Sequence, residues 1–138
     1  MHFTASTTIH AKPETVWSII TDASKFSEWE PNIVRIEGTI ALDEKVTAYT
    51  KHDPDRAFYA IVTQLVPNQR MVWTGGLPFG LFRGVRSFTL TPQADSIEFT
   101  LREEFSGLLL FIFKRSIPDQ TEDFENFVQG LKARAEGM

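Results

Sequence analysis

A chain of 138 residues with a formal charge of −4, no cysteine and twelve phenylalanines is the size of one domain with one core. The missing cysteines exclude disulfides and thiolate metal sites as supports. The acidic balance, with lysine and arginine scattered along the chain, argues against a nucleic-acid partner, since phosphate neutralisation needs a basic face.

The N-terminal stretch MHFTASTTIHAK lacks the apolar centre of a signal peptide. The longest apolar run, Leu108 to Phe113, is far short of the ~20 residues that span a bilayer. The expectation is a soluble cytoplasmic protein with no stable membrane insertion.

Phe3, Ala5, Thr7 and Ile9 alternate with Thr4, Ser6 and Thr8, the period of a half-buried strand. Lys12-Pro13-Glu14 then opens a helix, because proline is tolerated at the first helical position and an acid suits its positive end. Val16, Trp17, Ile19 and Ile20 form the helix's apolar side, and a short helical piece from Ser24 to Trp29 stops before Pro31.

From Asn32 onward the sequence predicts strands over Ile33–Gly38, Lys45–Lys51, Ala57–Val66, Arg70–Thr74, Phe82–Thr91 and Ile97–Ser106. They are separated by turn-forming residues, including His52 to Asp55 and Gly75 to Gly80. Phe124, Phe127, Val128 and Leu131 follow the i, i+3, i+4, i+7 pattern of an amphipathic helix, which Asp119 and Glu122 would cap as a box. The order is strand, two helices, six strands and a long helix. Such a run of antiparallel strands needs a cover for one face, and the long helix supplies it, giving an α+β domain.

PETVWSIITDASKFSEWEPNIVRIEG, EEFSGLLLFIFKRS and the terminal LKARAE resemble the START-like, helix-grip superfamily of polyketide cyclases, Bet v 1-like proteins and lipid-transfer domains. The closer likeness is to its small bacterial polyketide cyclase/dehydrase-like branch and spans nearly the whole chain, residues 1–138 as one START-like domain. The resemblance implies a curved antiparallel sheet gripping the C-terminal helix, with an apolar cavity between them. It leaves activity open, since this superfold hosts carriers, enzymes and chaperone activators.

Alternation predicts that Phe82, Gly84, Arg86, Phe88 and Leu90 share the inward face of one strand. Ile97, Phe99, Leu101, Glu103 and Phe105 share that of the next. Arg86 and Glu103 are thus turned inward together, within reach of each other across a hairpin. A structural ion pair is the plainer reading; a polar anchor for an otherwise apolar ligand is the functional one.

Trp29, Tyr59, Trp73, Phe88 and Phe105 are further candidates for a ligand-lining surface. Phe79, Phe82, Phe124 and Phe127 are preferred as walls because they belong to the loop, the inward strand face and the gripping helix. Core packing is the ordinary alternative for each aromatic taken alone, and it is the favoured reading of Leu108–Phe113, ahead of a flexible lid at the cavity mouth or a membrane-touching loop.

His2, His10 and His52 lack metal-ligand spacing. The chain has neither a phosphate-binding glycine loop nor a GxSxG nucleophile elbow, and no cofactor is expected. The leading functional expectation is binding of a small hydrophobic, lipid- or polyketide-like ligand. The second is a cyclase or dehydratase using Glu103 as base with Arg86 or Tyr59 as carbonyl partner, and the third an interaction protein acting through its surface. An exposed sheet edge leaves a homodimer open.

Overall fold

The structure, a computed structural model, describes residues 1–137. Strand β1 (His2–Ile9) leads into helix α1 (Pro13–Ile20) and a 3₁₀ helix (Ala23–Glu28). Six strands follow: β2 (Ile33–Glu37), β3 (Lys45–Thr50), β4 (Asp53–Val66), β5 (Arg70–Leu77), β6 (Phe82–Pro92) and β7 (Ile97–Ser106). Short helix α2 (Leu110–Phe113) and long helix α3 (Thr121–Glu136) complete the chain. The strands form one antiparallel sheet in the order β1-β7-β6-β5-β4-β3-β2. Register shifts in the β2–β3, β3–β4 and β4–β5 pairs are irregularities of the kind that bend and twist a sheet. This is the curved sheet with a C-terminal helix of the helix-grip fold.

Helix α3 buries Phe124, Phe127, Val128, Leu131 and Ala135 along one stripe and packs chiefly against β1. Lys132 ties the two together, donating to the Thr8 carbonyl at 2.6 Å and to Glu136 at 2.7 Å. Glu136 also accepts the His10 backbone N–H at 2.9 Å. Gly130 gives the helix its close approach, since a Cβ there would collide with the Trp29 carbonyl.

The space between sheet and helix is packed with rings. Phe127 lies 5.0 Å from Trp29, 6.0 Å from Phe88 and 6.1 Å from Phe99 between centroids. Phe26 joins Trp29 at 4.8 Å and Trp73 at 6.2 Å. Tilted and offset pairs of this kind add about 0.5–1.5 kcal/mol each beyond area burial.

The elements differ from the sequence expectation in four places. His52 to Asp55 is not one turn: Thr50 pairs with Asp53, so the turn is Lys51-His52. Pro54 falls within β4 where it extends past β5, so one side of the strand is unpaired and tolerates proline. Strand β5 runs on to Leu77 instead of stopping at Thr74, and the connection shrinks to Pro78–Leu81. Leu81 N–H donates to the Pro78 carbonyl at 3.2 Å, with φ of 60° at Phe79 and 69° at Gly80. Two positive φ angles suit the right-handed twist of a hairpin.

The third difference is Leu108–Phe113, which is not core: Leu108, Phe111 and Ile112 are exposed. Gly107, at φ 122°, turns the chain off the end of β7. The N–H groups of Leu108 and Leu109 then bond the Gly80 and Leu81 carbonyls at 3.1 and 2.7 Å. The run is thereby held against the β5–β6 turn. Finally, Asp119 does not form a box with Glu122; its Oδ1 accepts from the Thr121 N–H at 3.0 Å and hydroxyl at 2.7 Å.

Candidate functional site

Strand register draws a line of neighbours across the concave face: Phe3, Glu103, Arg86, Trp73 and Val62, from β1 to β4. Its centre is charged. Arg86 Nε donates to Glu103 Oε1 at 3.3 Å, with side chains 28% and 17% exposed. The guanidinium carbon lies 5.2 Å from the Phe124 ring centroid, within the range of cation–π attraction. The contact to Glu103 uses Nε, so the terminal nitrogens of the fork are not part of it.

A second acid belongs to this site, and the sequence reading missed it. Glu30, 5% exposed, follows the 3₁₀ helix, where its N–H bonds the Phe26 carbonyl at 2.8 Å. Its Oε1 accepts the Asn32 backbone N–H at 3.1 Å. Burial pushes the Glu30 carboxyl above the usual carboxylate range. The Asn32 N–H and the charges of Arg86 and Lys51 oppose that rise, while Asp123 adds to it. Asp123 itself meets His52 at 3.3 Å, so the β3–β4 turn reaches the start of α3. No periodic signal marks Glu30: it stands in an irregular link between Trp29 and Pro31.

Three buried donors have no hydrogen-bond acceptor among the described residues: Trp29 Nε1, Trp73 Nε1 and Asn32 Nδ2. Indole can only donate, and an unmatched buried donor costs about 1–3 kcal/mol. Trp73 neighbours Arg86 in register, and Trp29 and Asn32 flank Glu30 in the chain. The region therefore combines one arginine, buried acid and a surplus of donors.

Beyond this line, toward the β5–β6 turn, the residues of the concave face are half-buried. Gly84, Gly75 and Ala60 floor it. The Phe105 ring lies over Gly84, where a Cβ would come within 3.3 Å of it. Phe82 lies 5.9 Å from Phe105 and 5.2 Å from Phe113 between centroids, making one wall. Phe58 and Leu77, both exposed, stand across the floor on the same face as Ala60 and Gly75.

The sequence-predicted residues are thus divided among five environments. Arg86 and Glu103 meet as expected from alternation. Trp29, Trp73, Phe88, Phe124 and Phe127 are buried in the ring-packed core, and Phe82 and Phe105 wall the half-buried end. Phe79 stands exposed at the tip of the β5–β6 turn and lines nothing inside. Tyr59 is on the opposite face: it alternates with Ala60, which packs against the core, and is itself exposed. The Lys45 ammonium lies 4.8 Å from the exposed Tyr59 ring. That removes Tyr59 as a partner for Arg86 or Glu103.

Two concavities lie outside the interior. One of about 260 Å³ runs between α1 and α3, lined by Trp29 together with Asp22, Lys25 and Arg134. The other, of about 540 Å³, is on the outer sheet face among Arg70, Arg83 and Arg102.

Known structures share this architecture. A START superfamily protein from Mycobacterium smegmatis superposes with a TM-score of 0.73 at 16% identity, covering 99% of this chain and 97% of that one. The Aha1 dimer from Colwellia psychrerythraea gives 0.73 at 17%, covering 99% and 96%. The di-domain ARO/CYC StfQ of the steffimycin biosynthetic pathway gives 0.73 at 15%, covering 99% of this chain and 50% of StfQ. At these identities the likeness is one of fold. No curated protein matches the sequence. The family described as polyketide cyclase / dehydrase and lipid transport matches residues 1–136, and the chain belongs to that family.

Proposed function

We propose that the protein binds a compact, mainly apolar ligand carrying a hydrogen-bond acceptor, at the half-buried end of the concave face. The observation that carries this reading is the donor surplus beside Arg86. Trp29 Nε1, Trp73 Nε1 and Asn32 Nδ2 are buried without acceptors among the described residues, and Trp73 is the register neighbour of Arg86. A ligand carbonyl, carboxylate or phenolate would relieve that imbalance, while its apolar body would cover Phe82, Phe105 and the glycine floor. The ring-packed middle of the core favours a small ligand over a long acyl chain.

Native mass spectrometry of protein purified from its own host tests the reading, paired with titration of the fluorescent probe anilinonaphthalene sulfonate. A retained ligand, or probe binding that Arg86→Leu weakens, supports it. An apo mass together with no probe binding overturns it.

A cyclase or dehydratase is the second reading, favoured by Glu30. Burial raises the pKa of Glu30, the direction that suits a proton donor to a carbonyl held near Arg86. Glu30→Gln would then abolish conversion of a poly-β-ketone substrate while leaving its binding intact. Conversion that survives this change excludes Glu30 as the acid.

A further inference from the structure

We propose that the tip formed by the β5–β6 turn and the β7–α2 connection is a docking surface for an anionic lipid bilayer. Phe79 is 93% exposed, Phe111 76%, Leu108 72% and Ile112 55%. These side chains come from two segments locked side by side by the bonds from Leu108 and Leu109 to Gly80 and Leu81. They therefore form one apolar knob and not scattered surface residues.

The backbone presents Phe79 with some insistence. Its φ of 60° is a left-handed conformation that is unfavourable for most L-residues and suits glycine or asparagine. A bulky ring at such a position, almost wholly in water, has no stabilising role in the turn.

Charge selects the occupant. The chain has 18 acids against 14 lysines and arginines, yet residues 75–83 and 105–118, which build the tip, contain no acid. They contain Arg83, Lys114 and Arg115, all exposed. The adjacent β3–β4 hairpin is balanced, Asp53 and Asp55 against Lys51 and Arg56. Apolar side chains projecting beyond a basic collar suit insertion into the headgroup region of a negatively charged membrane. Each basic residue there strengthens binding about fivefold. Four side chains on two turns offer less area than the ~800 Å² per partner of a stable protein interface, which favours lipid over a second copy. The tip lies outside the fold's interior, and its docking is independent of what the interior binds.

The test is sedimentation of the full chain with vesicles of phosphatidylcholine, or of phosphatidylcholine with phosphatidylglycerol. Binding to the anionic vesicles should be at least roughly tenfold tighter, as three basic residues at about fivefold each allow. Lys114→Ser/Arg115→Ser should cut that preference to no more than about fivefold, the share left to Arg83. Phe79→Asn/Phe111→Ser should weaken binding at least roughly tenfold, given the apolar area withdrawn; asparagine suits the turn's backbone, so Phe79→Asn does not endanger the fold. Phe79→Trp gives a second readout, its emission shifting to the blue on anionic vesicles. Absence of wild-type binding, binding that both double variants retain, or an unshifted emission from the Phe79→Trp variant overturns the proposal. So does a solution dimer that Phe79→Asn/Phe111→Ser dissociates while vesicles are ignored.

Discussion

Arg86 and Glu103 face each other on β6 and β7, Nε 3.3 Å from Oε1, on the side of the sheet that also buries Phe88 and Leu101. Removing either partner strands the other in a partly dry site. Arg86→Leu and Glu103→Leu should each cost about 1–3 kcal/mol, below the 3–5 of a fully buried pair because both side chains keep some water. The double variant should cost less than the sum. Urea denaturation of the four proteins gives the coupling, and strictly additive losses would show that the pair does not hold together in solution.

Glu30 should make stability depend on pH in an unusual direction. Its pKa in the folded protein is raised by burial, so the native state holds its proton more tightly than the unfolded chain does. Below the ordinary glutamate pKa the group carries no penalty. As pH rises through the folded pKa, the buried charge appears and stability falls. Glu30→Gln keeps the acceptor for the Asn32 N–H and removes the charge. It should raise the Tm at neutral pH and leave it unchanged in strong acid, measured by calorimetry across pH.

Gly130→Ala sets helix propensity against packing. In an isolated helix alanine would gain about 1 kcal/mol over glycine. Here the new methyl meets the Trp29 carbonyl, just past the end of the 3₁₀ helix. Overpacking of this kind costs typically about 1–3 kcal/mol, so the net change should be destabilising by chemical denaturation. A stabilised variant would mean that the contact relaxes freely.

Phe127→Ala should be among the most damaging single changes, about 3–5 kcal/mol in denaturant unfolding. Its ring touches four others, those of Phe26, Trp29, Phe88 and Phe99. Phe79→Asn should do the reverse, stabilising by roughly 1 kcal/mol through relief of the left-handed backbone.

Legibility in the sequence followed regularity. Strands β6 and β7 pair without a register shift from Arg83 to Pro92, so counting by two found both members of the Arg86–Glu103 pair. Strand β4 breaks its register between Val62 and Gln64. Leu65 and Tyr59, which strict alternation would assign to one face, therefore fall on opposite faces. Glu30 lies in a link with neither period, and its burial comes from α3 and the sheet closing over it. The apolar run at Leu108–Phe113 misled for another reason: composition records hydrophobicity but not whether any core remains to receive it.

The backbone bonds between Leu108, Leu109 and the Gly80–Leu81 carbonyls have a mechanical consequence. Phe82 follows directly from one bonded segment and Phe113 ends the other, and their rings form the inner wall. Phe79 and Phe111 project from the same two segments on the outside. A force applied at the tip reaches the wall through a short braced strut, with no slack loop between to absorb it.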